Sequence, residues 1–387
     1  MASSAASPPA THATRRVPER AVRAKDGAAE AESGTATLDP RLPILSLSSL
    51  RDLALLCGRN SSGTRAVLRA DLEAALDEAP VLAAPRAATS QRILSIDMGV
   101  RNLAYCLLQV EGKAARSDSH RHVPQLLAWE RLSLIGSGKG ATREDTASAK
   151  PPASAFSPPA MAAVAARLIR DRLLPLAPTH VLIERQRFRS GGGAAVLEWT
   201  VRVNSLEAML HGILAYRQLD ANKNSKNSNS TFQTIQAVSP RRVSQFLLRG
   251  GLSGSKEEQP VSLPAKVTKE KDIKDVKEAF VAGILRASGP RQLLTYNENI
   301  NDIVDAYLLR WDAKQSKSRR KTKTKETEED GADGTDRPPL AKPVFTKIDD
   351  MADCVAQGLA WLEWEDNKKL LRARGAEHLL ETKHIAG

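Results

Sequence analysis

Apolar residues recur along this chain with two different periods, and the switches between them mark out its elements. Over 44–80 the spacing is helical: Leu50, Leu53, Ala54 and Cys57 form one stripe, and Val67, Leu68, Leu72 and Leu76 form a second. Gly58 separates the two helices, Ser48-Ser49 is placed to cap the first, and Gly63-Thr64-Arg65 opens the second. From 92 the pattern tightens into short apolar runs. Arg-Ile-Leu-Ser-Ile-Asp at 92–97 reads as a buried strand, Gly99 as a tight turn, and 102–110 and 126–134 as two more strands. A helix follows at 160–174, a short apolar strand at 180–184 and a long helix at 195–216. A strand at 233–238, a helix started by Pro240 and a last helix at 349–371 complete the series. Strands in hairpins first, then alternating with helices, predict an α/β domain with a mixed sheet flanked by helices.

Other stretches carry no such period. Residues 1–40 are rich in Ala, Ser, Thr and Pro, and up to Lys25 they hold Arg15, Arg16, Arg20 and Arg23 with Glu19 as the only acid. That is the composition of a mitochondrial transit peptide, although a plain disordered tail has the same composition. Segments 136–158, 220–231 and 313–342 read as solvated surface insertions, the last basic from Lys314 to Lys325 and acidic from Glu326 to Asp336. Three units result: a disordered leader at 1–40, a small helical module at 41–82 and a main domain at 90–375.

Charge narrows the partner. Across 387 residues, 57 Lys and Arg against 45 Asp and Glu leave +12, a surplus that favours a polyanion, nucleic acid before membrane. No apolar run is long enough to span a bilayer. Cys57, Cys106 and Cys354 are too few and too scattered for a disulfide framework or a zinc module, and each is expected reduced in a packed region.

Acidic positions supply the candidate chemistry. Asp97 closes the first strand, Glu184 closes the short one, and Asp349, Asp350 and Asp353 open the last helix. Singly, each is explained by turn capping or by the positive end of a helix. Three such sites in one fold are not explained that way. Clustered hard oxygen donors suit Mg²⁺, and two such ions about 4 Å apart promote in-line displacement at phosphorus.

Ile-Leu-Ser-Ile-Asp97-Met-Gly99-Val-Arg-Asn102, Val-Leu-Ile-Glu184-Arg-Gln186-Arg-Phe-Arg189 and Lys347-Ile-Asp-Asp-Met-Ala-Asp353-Cys-Val-Ala-Gln-Gly, in that order, resemble the fungal mitochondrial Holliday junction resolvases, RuvC-like members of the ribonuclease H superfamily. The resemblance runs from about 92 to 370. It implies a ribonuclease H-like mixed five-stranded sheet with helices on both faces. It also implies an endonuclease of the mitochondrial matrix that resolves four-way DNA junctions as a homodimer with paired symmetric nicks, using Mg²⁺ (Mn²⁺ as substitute), two ions per site. No membrane and no small-molecule cofactor are expected. Asp97, Glu184, Asp350 and Asp353 carry over as catalytic metal ligands, with Asp349 competing with Asp350, and Lys347 as a residue that reaches the scissile phosphate or stays a solvated lysine. Residues 41–82 resemble an SAP-like all-α DNA-binding hairpin, whose Arg65 and Arg69 are then candidate phosphate contacts.

Arg185, Gln186, Arg187 and Arg189 beside Glu184, and Arg241 and Arg242 after Pro240, are candidate DNA contacts, since the guanidinium fork suits phosphate. Exposed arginines also serve solubility alone. Gly191-Gly192-Gly193 reads as a connector, and the helix at 195–216 as core or dimer seam. Asp302 and Asp305 repeat the Asp-x-x-Asp spacing before an apolar helix. Tyr307 and Trp311 beside them argue against a close approach to the sheet, so this pair is taken as a decoy. Two other classes stay open: a non-catalytic nucleoid or architectural DNA-binding protein, and a ribonuclease H-like nuclease acting on another branched or hybrid substrate.

Overall fold

The computed structural model describes residues 39–82, 90–111, 123–135, 152–186, 197–223, 233–252, 270–289, 292–326 and 347–383. The expected leader, but for its last two residues, therefore lies outside the described residues, as do Arg187, Arg189 and the triple glycine. One sheet runs in the order β5-β4-β1-β2-β3-β6. Its strands are β1 (Gln91–Asp97), β2 (Leu103–Val110), β3 (Gln125–Leu132), β4 (His180–Glu184), β5 (Thr234–Val238) and β6 (Thr295–Tyr296). The β1/β2 and β2/β3 pairs are antiparallel, whereas β4 joins β1, β5 joins β4 and β6 joins β3 in parallel. The five longer strands are the five expected ones. The sixth is a two-residue edge pairing, too short to leave any period in the sequence.

Both faces of the central strands are buried, which is why β1 and β2 read as continuous apolar runs rather than as alternation. On one face Leu94, Ile96, Val181 and Ile183 pack against α3 (Pro158–Leu168) and α4 (Glu198–Lys223). Ile93, Cys106, Leu108 and Leu182 turn to the other face. That face carries α1 (Leu47–Leu56), α2 (Arg65–Asp77), α5 (Pro240–Leu248), α6 (Glu270–Arg286), α7 (Asn301–Glu326) and α8 (Asp349–Thr382).

Helix α8 crosses the sheet about one strand per turn, because a helical pitch of about 5.4 Å nearly matches a strand spacing of about 4.8 Å. Met351 O accepts from Trp129 Nε1 of β3 (3.0 Å), Cys354 O from Cys106 Sγ of β2 (3.4 Å), and Gln357 Nε2 donates to Ser95 Oγ (3.1 Å) and Ile96 O (3.2 Å) of β1. Trp361 Nε1 then donates to Gln236 Oε1 of β5 (2.8 Å). Gly358 permits the approach: a Cβ there would stand 2.7 Å from Leu108 Cδ1 and 3.3 Å from the Ser95 Cβ.

The N-terminal helix pair shares this buried cluster rather than standing apart. Trp364 of α8 lies so close to Gly58 (φ +66°) that a Cβ would meet its ring at 2.4 Å. Asn367 Nδ2 donates to Leu56 O at 2.9 Å, and Arg372 donates to Ala75 O, Leu76 O and Glu78 O at 2.7 to 3.0 Å. These side chains satisfy the orphan carbonyls at the ends of α1 and α2.

Several expectations are corrected. Ser46, not Ser48-Ser49, caps α1 by accepting from Ser49 N at 3.0 Å, and Val67 faces solvent. The helix expected at 160–174 ends at Leu168, then widens through a π turn (Ile169–Leu173) and tightens into a 3-10 turn (Leu174–Leu176). Helix α8 continues past 371 to Thr382 with a break at Gly375 (φ 82°). Helix α7 enters the basic stretch and runs to Glu326, since Lys314 Nζ pairs with Asp275 Oδ1 (2.7 Å) and Glu278 Oε2 (2.6 Å) of α6. Helix α6 itself was not expected. Its apolar positions Ile273, Val276, Phe280 and Ile284 lie among so many charges that the stripe is easily passed over.

Candidate active site

Strand parity and parallel register assemble the first two acids. Ile93, Ser95 and Asp97 share one face of β1, and Leu182 and Glu184 share the same face of β4. The β1/β4 pairing of Ile96 with Ile183 therefore sets Asp97 and Glu184 side by side at one level of the sheet, on the face that α8 covers. The turn beyond Asp97 is held tight by Gly99, where a Cβ would stand 2.9 Å from Asn102 O. The first turns of α8 bring Asp350 and Asp353 opposite.

Their electrostatics is that of crowded anions. Burial, then the carboxylates of Glu184, Asp353 and Asp350, hold the Asp97 carboxyl well above its ordinary pKa. Burial likewise raises Asp353, against the pull of Lys277, and brings Asp350 up to about 6 with help from Asp349. Burial would also raise Asp349, but the Lys274 ammonium outweighs it and the carboxyl sits below its usual range.

Bases hold three of these acids in place. Arg131 Nε of β3 pairs with Asp350 Oδ2 at 3.1 Å and its Nη2 donates to Asn102 Oδ1 at 2.5 Å. From α6, Lys277 Nζ pairs with Asp353 Oδ1 at 2.8 Å and Lys274 Nζ with Asp349 Oδ2 at 3.0 Å. Lys277 is only 9% exposed. Gln186 Nε2 donates to Glu184 Oε2 (3.3 Å), while Gln186 N donates to Glu207 Oε2 of α4 (2.9 Å).

Sequence reasoning missed Lys277, Lys274, Arg131 and Glu207. The signal that could have found the lysines is the i,i+3 spacing of Lys274 and Lys277 on one face of a helix whose other face is apolar.

The donor set has the chemistry of a divalent-cation site: hard oxygens, buried, with repulsion that a cation would relieve. Among the described residues, though, no three His, Cys, Asp or Glu side chains stand close enough to ligate one ion together, and Lys277 supplies the counter-charge at Asp353. Asp302 and Asp305 are exposed on α7, whose buried Tyr307 donates to Glu278 O at 3.1 Å and packs on Trp129 with ring centroids 4.9 Å apart and tilted by 40°. Lys347 is exposed beside Asp349. Arg185, Arg241 and Arg65 are exposed, and Arg242 is half-buried with Nη1 donating to Gly58 O at 3.1 Å. Arg69 corrects an expectation: its guanidinium braces the chain, pairing with Glu73 at 2.8 Å and donating to Pro43 O and Leu42 O, so it is not free for phosphate.

A family model described as mitochondrial resolvase Ydc2 / RNA splicing MRS1 matches residues 93–371, a span that holds every acid of the cluster. Cruciform cutting endonuclease 1, mitochondrial, of Schizosaccharomyces pombe is 28% identical over 157 residues, covering 41% of this chain and 53% of that protein. The chain thus spans about half the length of this relative. Among solved structures, the yeast mitochondrial Holliday junction resolvase Ydc2 is similar over 85% of this chain and 97% of its own, at 18% identity and a TM-score of 0.49. RuvC of Thermus thermophilus is similar over 52% and 87%, at 16% identity and a TM-score of 0.25.

Proposed function

The chain belongs to the mitochondrial resolvase Ydc2 / RNA splicing MRS1 family, and on that premise we propose that it is a metal-dependent endonuclease that resolves four-way DNA junctions in mitochondria. The observation that carries this reading is the meeting of buried Asp97 with half-buried Glu184, Asp350 and Asp353. A protein that only bound nucleic acid would gain nothing by burying carboxylates where phosphate must approach. The family description also spans RNA splicing, and a non-catalytic RNA or DNA binder is the reading that this cluster argues against.

Asp97, Glu184, Asp350 and Asp353 would hold Mg²⁺, or Mn²⁺ in its place, two ions being the number that in-line hydrolysis favours. Cations there supply electrostatic stabilisation of the negative charge that builds up on the phosphate. The chain's own residues do the rest. Arg131 orients Asp350, Gln186 orients Glu184, and Lys277 holds Asp353. Arg185 and Arg241, both exposed, hold neighbouring phosphates, with Lys347 and Arg65 further out. Water attacks phosphorus, the bond to the 3′ oxygen breaks, and a 5′ phosphate and a 3′ hydroxyl remain.

Paired nicks require two such sites, and we assign the second to another copy of this chain. Leu197, Val201, Tyr216 and Leu219 on or beside α4 are between 48% and 70% exposed, an apolar face suited to a two-fold seam. The S. pombe relative is mitochondrial, which fits an Arg-rich, acid-poor start.

The test is a panel of four-way junction, linear duplex, RNA–DNA hybrid and folded RNA, each with Mg²⁺ and with EDTA. Selective, Mg²⁺-dependent, symmetric nicking of the junction is expected. Tight RNA binding without cleavage of any substrate would replace this reading with the binding one.

A further inference from the structure

Helix α5 leads away from the carboxylates along a basic seam. Its start is fixed beside the site, because Arg185 N, the first amide after Glu184, donates to Val238 O at 2.8 Å, and α5 begins at Pro240. Val243, Phe246 and Leu247 are buried, so the opposite face, with Arg241, Gln245 and Arg249 at successive i,i+4 steps, looks outward. Arg241 to Arg249 spans about 12 Å of helix axis, about the axial rise of three to four nucleotides of one DNA strand.

The far end of this row meets the N-terminal helix pair. There Arg51, Leu55 and Ser61 face Gln245, Leu248 and Arg249 across an open groove of about 210 Å³. The near wall is held rigidly, since Arg242 Nη1 donates to Gly58 O at 3.1 Å and Arg249 Nη1 pairs with Asp52 Oδ1 at 2.8 Å. Arg242 is half-buried, with the like charges of Arg185 and Arg59 and the opposite charge of Asp71 around it. Among the described residues neither Arg51 nor Arg241 has an ion-pair partner, and the apolar floor of Leu55 and Leu248 suits the flat side of a sugar.

We propose that the groove between α5 and the N-terminal helix pair, walled by Arg51 and Arg249, is a dock for the sugar-phosphate backbone of a DNA arm leaving the active site. The proposal rests on the nuclease reading and adds to it a fixed second contact. Because the helix pair is packed into the core, the dock stands at one distance and angle from Asp97. On this proposal a bent arm of a branched substrate meets both the site and the dock, and a linear duplex meets only the site.

The test is equilibrium binding of the full chain to a four-way junction and to linear duplex, in EDTA, over a range of salt. Arg51→Ala/Arg249→Ala is compared with wild type and with Arg167→Ala/Arg170→Ala, an equal charge change on the opposite face of the sheet. The groove variant is expected to bind the junction about tenfold more weakly, with a salt slope shallower by about 2, one for each phosphate contact removed. Its duplex binding should be unchanged, and its melting temperature should fall by no more than that of the control, since each double variant breaks one largely exposed ion pair, Arg249–Asp52 or Arg170–Asp171. Wild-type junction affinity in the groove variant, or an equal loss in the control, overturns the dock while leaving the nuclease reading intact. A wild-type chain that binds no DNA overturns both.

Discussion

The two ends of α8 both bury charge, and they do so in opposite ways. At the C-terminal end every buried acid meets a base: Glu365 pairs with Lys368, and Glu363 pairs with Lys383 at 2.5 Å. Asn367 and Arg372 spend their donors on the carbonyls of the N-terminal helices. At the other end, among the described residues, five carboxylates (Asp97, Glu184, Asp349, Asp350 and Asp353) share three paired bases, Arg131, Lys274 and Lys277, with Lys347 exposed beside Asp349. Matched buried charge fixes geometry. Unmatched buried charge costs stability and persists only where something else requires it. The imbalance, more than the acids themselves, marks this end as the candidate site.

Removing charge should therefore act oppositely at the two ends. The largest expected effect is at the crowded end, where Asp97→Asn cuts Mg²⁺-dependent junction cleavage by at least ~10²-fold. Its melting temperature should stay equal to wild type or rise, because a repelled carboxylate has been neutralised. Loss of stability with full activity would erase the contrast. At the matched end, Lys368→Met leaves Glu365 buried without its cation, a loss of about 3 kcal/mol in urea unfolding. Cleavage per folded molecule should not change.

A smaller effect belongs to His180, buried under Trp361 with burial taking its pKa down from 6.5 to about 4. The folded state then holds fewer protons than the unfolded one between those values, so stability is complete above pH 6.5 and falls as pH drops toward 4. Between pH 7.5 and pH 5 the loss is about 2 kcal/mol. Thermal melts of His180→Gln beside wild type at both pH values isolate it: the variant should lose that much less. A parallel fall in the two proteins would remove His180 from the matched end.

Much of this was legible in the sequence, for reasons that particular residues make plain. Short apolar runs ending in Asp97 and Glu184 announced both strands and both acids, since a sheet buried on two faces leaves no alternation to confuse the reading. The small residues around Asp353 and Gly358 let that helix lie close to the sheet. What escaped was charge serving as structure. Lys277 and Arg131 look in sequence like surface bases, and only packing brings them to Asp353 and Asp350. Arg69 escaped in the opposite sense: a basic residue on an exposed helix reads as a phosphate contact until its carbonyl partners at Leu42 and Pro43 are seen. Lys314 continued α7 through a stretch that composition alone assigns to solvent, because its two acidic partners sit on a helix hidden among charges.

The most direct measurement compares the two Asp-x-x-Asp pairs. Asp353→Asn and Asp305→Asn carry the same chemical change on helices that start alike, one facing Asp97 and one facing solvent. Initial rates of four-way junction cleavage in Mg²⁺, with each protein's folding checked by melting, should fall at least ~10²-fold for Asp353→Asn. Asp305→Asn should stay within a few-fold of wild type, as a surface substitution that touches no partner does. Full activity in Asp353→Asn, or the reverse order of the two variants, would contradict the assignment of the active site to the crowded end of α8.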